Sequence, residues 1–170
     1  LAAWREAFRQ GILASERGEF ADAVAHLERA ARIDDAHAET RYYLGRAYHN
    51  SGDIARATDA YVEALREDAY PLRALPRQQA ILANLAASHN VPLVKIAEAL
   101  EAEAQDGIIG LDVLMDYVHP TPESNEIIAH AVVRAMVESE ILPEATRVHL
   151  DAVQIPVPKD ATKHLGSWLA

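Results

Sequence analysis

The sequence contains no cysteine, which excludes disulfides, thiolate nucleophiles and Cys-ligated zinc or iron–sulfur centres. Long apolar runs are missing too. None approaches the roughly 20 residues of a membrane-spanning helix, so no membrane span is expected. Cations are in the minority, with 16 Lys and Arg against 26 Asp and Glu and a net charge of −10. Phosphate binding needs clustered Lys and Arg, and the sequence has no such block, so no nucleic-acid partner is expected. His-Glu-x-x-His and paired histidines are absent, and no metal or other cofactor is expected. No basic-then-apolar leader opens the chain, so a cytoplasmic location is expected. The first residue is Leu1 rather than Met, and a longer parent protein is expected.

What the sequence does contain is an internal repeat. Half of its 170 residues are apolar, enough for one compact domain or two small ones. Laying residues 4–35 on 38–69, an offset of 34, pairs Gly11 with Gly45, Gly18 with Gly52, Ala23 with Ala57 and Ala30 with Ala64. Phe8 with Tyr42 and Leu27 with Tyr61 are conservative pairs. Each unit reads as helix, turn, helix. Gly18 and Gly52 suit left-handed turn positions, while Gly11 and Gly45 let two helices approach closely. Leu44, Tyr48, Ile54, Tyr61 and Leu65 supply a buried face at helical spacing.

This pattern resembles the tetratricopeptide repeat, whose period is 34. Leu44-Gly45-x2-Tyr48, Gly52, Ala57-x3-Tyr61 and Ala64 match closely, and Gly11, Gly18, Ala23, Leu27 and Ala30 match less fully. The resemblance implies an α-solenoid of helical hairpins and a protein or peptide partner. Tyr42, Tyr43, Arg46 and Asn50 are expected on its binding face. A stripe at Ile81, Leu82 and Leu85 predicts a helix over 77–89, opened near Pro76, that caps the array. Trp4 and Trp168 read as packing anchors. His26, His37, His49, His89, His130, His149 and His164 read as surface or capping residues.

Beyond residue 90 the pattern changes. Val91-Pro92-Leu93-Val94-Lys95-Ile96 predicts a short strand, 97–104 a helix, Asp106-Gly107 a turn, and 125–141 a long amphipathic helix. Between them stand Asp116 and His119, three residues apart and followed by Pro120. A carboxylate meeting the imidazole Nδ1 would fix the tautomer and leave Nε2 as a general base. The same spacing equally serves a loop histidine with a capping aspartate. Asp112, Asp116 and His119 as metal ligands form the weaker reading, since one His with two Asp seldom makes a site.

Gly107-x2-Gly110, Leu114 through Thr121, and Asn125-x2-Ile128-Ala129 resemble the last block of SGNH (GDSL-type) hydrolases. Ile81 through Ala86 with Val91 through Val94 are similar to the helix and strand before that block. The resemblance implies ester substrates, with Asp116 as the orienting acid and His119 as the base of a triad completed by a serine. Departures are Ser124 where a glycine is usual, Lys95 where an acid is common, and the absence of Gly-Asp-Ser and Gly-x-Asn. Ser15, Ser51, Ser88, Ser124, Ser139 and Ser167 all lack the setting of an activated nucleophile.

The expected fold is therefore mainly α: two tetratricopeptide hairpins over 1–69, a capping or connecting helix over 70–90, a small α/β SGNH-like segment over 91–142, and a tail over 143–170. The expected function is a protein-interaction module attached to part of an ester hydrolase, inactive as this chain because nucleophile and oxyanion donors are missing. The alternative is a purely non-catalytic adaptor.

Overall fold

The computed structural model describes residues 1–69, 74–116 and 118–144. The chain divides into two compact units, Leu1–Gln79 and Ala80–Ala170. In the first, α1 (Ala2–Glu16) packs on α2 (Phe20–Ile33), and α3 (Ala38–Asn50) packs on α4 (Ile54–Arg66). The turns between partners are short, so each pair is an antiparallel hairpin. Both turns close in the same way. Gly18 (φ 74°) and Gly52 (φ 84°) adopt the left-handed conformation, and the next residue's N–H reaches back to Ala14 O and Tyr48 O at 2.9 Å. This closure satisfies carbonyls at the helix end that would otherwise lack partners.

The core of the hairpins is built mostly from small residues. Ala7, Ala14, Ala23, Ala30, Ala47, Ala57 and Ala60 are buried with Leu27, Leu44 and Tyr48. Small side chains let helix axes approach, and the approach is tightest at two glycines. A Cβ on Gly11 would lie 2.5 Å from Leu27 Cγ, and one on Gly45 would lie 2.7 Å from Tyr61 Cδ1. Each hairpin therefore seats one large side chain of its second helix over a glycine of its first. Ile54, Tyr61 and Leu65 are only half-buried.

Two polar ties join the hairpins. The Trp4 indole donates to the fully buried Thr40 hydroxyl at 3.2 Å, and His37 Nδ1 caps α3 by accepting from Thr40 N–H. On the other side, Tyr48 O–H donates to Glu28 at 2.7 Å, and the Arg56 guanidinium covers the Tyr48 ring at 4.5 Å. Burial and the Glu28 carboxylate both raise the Tyr48 phenol above its ordinary value.

The predicted helix after the repeats forms as α5 (Pro76–Ser88). None of its residues is buried, and Ile81, Leu82 and Leu85 are each about half exposed.

In the second unit the expected α/β segment is not formed among the described residues. Residues 91–95, read as a strand, have no regular structure. Asn90 (φ 53°) turns the chain and Val91 N–H closes on Ala86 O at 2.9 Å, so this run begins as a helix exit. Among the described residues no neighbouring strand is there to complete a ladder, and a lone extended segment has no partner for its backbone groups. The first predicted helix is shorter than expected, α6 (Ile96–Glu101), and packs on α7 (Pro122–Glu138). Leu100, Ala104, Val113 and Val137 form a small core. The long helix starts three residues earlier than predicted because Thr121 caps it: its Oγ1 accepts from Ser124 N–H at 3.1 Å, and Pro122 takes the first turn. Trp168, His149, His164, Ser167, Pro71 and nearly all of the tail lie outside the described residues.

Replacing Gly45 with leucine should overpack the α3–α4 crossing. The expected cost is about 1–3 kcal/mol, read as a lower thermal midpoint by circular dichroism. Gly11→Leu should behave alike, through Leu27.

Candidate functional site

Two places bring together side chains with binding or chemical capacity, one in each unit. The first lies on the leading helices of the repeats. Phe8 and Tyr42 occupy the same repeat position, eight and forty-two being one period apart. In the structure Phe8 meets Tyr43 edge-on at 5.6 Å between centroids, Tyr43 meets Tyr42 at 5.5 Å, and Tyr42 meets Tyr61 at 5.9 Å. Trp4 stacks on Phe8 at 5.2 Å and tilts over His37 at 4.2 Å. The cluster is therefore a continuous aromatic run, within the separations at which ring pairs attract. Arg46 lies over it, its guanidinium carbon 6.0 Å from the Tyr42 centroid and 5.6 Å from that of Tyr43, within cation–π range. Burial raises the Tyr61 phenol, Tyr42 raises it further, and Arg46 opposes both.

Of the four face residues read from the sequence, Tyr42, Tyr43 and Arg46 come together. Asn50 does not join them, because its Nδ2 donates to the Arg46 carbonyl at 2.8 Å. Trp4, Phe8, His37 and Tyr61 were not expected on this face. The 34-residue offset carries a signal for Phe8, since it stands where Tyr42 stands; His37 and Tyr61 reach the cluster only through the packing of helices.

The second place is a loop held by Met115 N–H on His119 O (2.8 Å), Thr121 N–H on Val113 O (3.0 Å) and an antiparallel bridge between Leu114 and Pro120. Asp116 Oδ1 accepts from Val118 N–H and His119 N–H, both at 2.8 Å, and Oδ2 lies 2.7 Å from His119 Nδ1. These contacts hold the carboxyl down to about 2: the Val118 N–H contributes most, then the His119 ring, then the His119 N–H. Nε2 of His119 bonds to no described residue, and the side chain is 67% exposed.

Asp112 does not join this pair. Its carboxylate accepts from Gln105 N–H at 2.6 Å, which lowers its pKa and closes the preceding loop. Among the described residues no group of three or more His, Asp or Glu is gathered to hold a metal. Two of the described serines of this unit are engaged elsewhere: Ser88 Oγ donates to Leu85 O, and buried Ser124 accepts from Thr121 Oγ1. Ser139 follows the last turn of α7, its backbone N–H on Ala135 O. His130 departs from the surface reading: its Nε2 is buried and has no hydrogen-bond partner among the described residues.

Residues 14–85 match the tetratricopeptide repeat family, and with the two hairpins this defines a tetratricopeptide repeat region. The match runs from the end of α1 into α5, past the second 34-residue unit. Repeats of this kind stack helical hairpins to present a surface on which proteins bind. No curated protein and no solved structure matches the chain. Among the described residues, no helix is long and apolar enough to cross a membrane.

A carbon-detected NMR titration of the Asp116 carboxyl should give a midpoint near 2. In His119→Ala the midpoint should rise yet stay below the ordinary carboxylate range, because the Val118 N–H remains. The sign follows from a depressed folded value. The contribution of Asp116 to loop order is complete above about pH 3.9, the unfolded value, and is lost as pH falls through about 2.

Proposed function

We propose that the chain is a protein-interaction module whose binding face is the aromatic and arginine surface of α1 and α3. The observation that carries this reading is the exposed Tyr42, 48% accessible, set within ring contact of Tyr43 and Tyr61 and beside Arg46. Tyrosine and arginine are the residues that concentrate binding energy at interfaces, since they cover apolar area while keeping a polar edge. A random-peptide phage library panned against the full chain should yield retained peptides. Tyr42→Ala should weaken them by about 2 kcal/mol. Peptides that bind this variant as well as the parent would overturn the placement of the face.

A second reading rests on a different observation, the 2.7 Å contact between Asp116 Oδ2 and His119 Nδ1. We infer that this pair serves as the acid–base half of an ester hydrolase of SGNH type, with the serine supplied from outside these 170 residues. Several features support it. Asp116 is ionised and pinned by two backbone N–H groups, so it can hold the imidazole with Nδ1–H toward it. Nε2 is then the basic nitrogen, and the exposure of the ring leaves it open to a hydroxyl. In one turnover the base takes the serine proton as Oγ attacks the ester carbonyl, and returns it to the leaving alcohol. Water then repeats the cycle on the acyl-enzyme.

Expressed from its complete reading frame, the protein should hydrolyse a simple aryl acetate. His119→Ala should abolish turnover, and Asp116→Asn should reduce it by orders of magnitude through loss of tautomer control. The 170-residue chain by itself should not turn over the ester. Hydrolysis by that chain, lost on changing one of its serines, would overturn the reading. So would full activity in His119→Ala, which would leave the non-catalytic adaptor.

A further inference from the structure

The hydrogen bonds around His37 run in one direction. The Trp4 indole and the Thr40 backbone N–H are groups that only donate. The indole donates to Thr40 Oγ1 at 3.2 Å, and Thr40 N–H donates to His37 Nδ1 at 3.4 Å. The Thr40 hydroxyl, with the indole proton on one of its lone pairs, lies 3.3 Å from the same ring nitrogen. Nδ1 therefore has to present a bare lone pair. The imidazole that fits is neutral and carries its proton on Nε2.

A proton on Nδ1 would reverse that end of the chain. The cap on α3 would be lost, and Thr40, which has no exposed surface, would keep a backbone donor with no acceptor. The new charge would also stand at a helix N-terminus, the positive end of the helix dipole. Attraction to the Trp4 ring, 4.2 Å away between centroids and tilted by 42°, opposes these effects. Among the described residues no ion pair adds to that attraction. Trp4 and Phe8 of α1 meet the ring, as does Thr40 of α3. Asp34, Asp35 and Glu39 make no ion pair or hydrogen bond with it, nor does any described side chain of α2 or α4. Arg41 is turned to Glu63 at 2.9 Å.

We propose that His37 is a proton-sensitive latch between the two hairpins. Neutral, it completes the chain from Trp4 through Thr40 and ties α1 to α3. Protonated, it leaves Thr40 N–H without its acceptor and sets a second donor against the hydroxyl that Trp4 holds. The latch does not depend on what the repeat face binds, yet Trp4 and His37 begin the aromatic run, so its release loosens that surface too. The sign follows from the form that the fold holds, the neutral one. Its stabilisation is complete above about pH 6.5, the ordinary imidazole value, and is lost as the pH falls below it.

Thermal unfolding of the 170-residue chain is followed by circular dichroism at about pH 7.5 and about pH 5.5, on either side of that ordinary value, beside His37→Asn. Asparagine caps a helix through Oδ1 and does not titrate, so the variant keeps the acceptor and loses the proton. Acidification should lower the parent's midpoint by about 2–4 °C more than the variant's. The remaining histidines are common to both chains and cancel. Heteronuclear NMR of the parent should find the His37 ring as the Nε2–H tautomer above the imidazole range, and the Trp4 indole proton should exchange with solvent faster as that ring protonates. These two readings need no variant, so they decide the matter even where His37→Asn folds poorly. An Nδ1–H tautomer, an indole proton indifferent to protonation of His37, or a midpoint that moves equally in parent and variant overturns the latch and leaves the interaction face standing.

Discussion

The repeat region depends on two close crossings between helices, Leu27 over Gly11 and Tyr61 over Gly45. A side chain on either glycine would occupy space already filled, so the helices could not keep their separation. Because the crossing in each hairpin is fixed by one large residue on one glycine, much of the remaining core can be alanine. Small core residues in turn leave the larger aromatics for the outer face of α1 and α3. Tyr61 belongs to both arrangements: its ring covers Gly45 on one side and meets Tyr42 on the other. The aromatic surface and the packing core thus share a residue.

The hairpins are joined by hydrogen bonds rather than by apolar bulk. Thr40 is fully buried, and Trp4 and His37 supply its partners. A buried hydroxyl without partners would cost on the order of 1–3 kcal/mol, so these three side chains fix the relation of α1 to α3 as a set. The aromatic run is then held in register, because Trp4 and His37 are also its first members. On the opposite side Glu28, Tyr48 and Arg56 form a similar set spanning α2, α3 and α4.

The Asp116–His119 loop is organised differently, by contacts between near neighbours in sequence. Its carboxylate is held by residues two and three positions on, and the loop closes on itself through Met115 and Thr121. Such a loop can preorganise an imidazole without help from distant elements. It sets a carboxylate against an exposed imidazole, while Ser88 and Ser124 of the same unit hold their hydroxyls in hydrogen bonds at helix ends.

The sequence by itself determined what is periodic or local. The 34-residue offset located the four repeat helices, the left-handed glycines of their turns and the close approach at Gly45, because each depends on residue type at a fixed spacing. Asp116 and His119 were legible for the same reason, being three residues apart with a proline behind them. Tertiary structure alone decided the rest. Residues 91–95 carry the composition of a strand, yet a strand exists only where a neighbour supplies hydrogen bonds, and none is there among the described residues. The stripe of Ile81, Leu82 and Leu85 is periodic whether or not anything covers it. Asn50 lies on the expected face, but its amide finds the Arg46 carbonyl first. Trp4 and Phe8 come from α1, Tyr61 from α4, and His37 from the turn before α3. Their meeting is a property of how the helices cross, which residue spacing along any one of them does not encode.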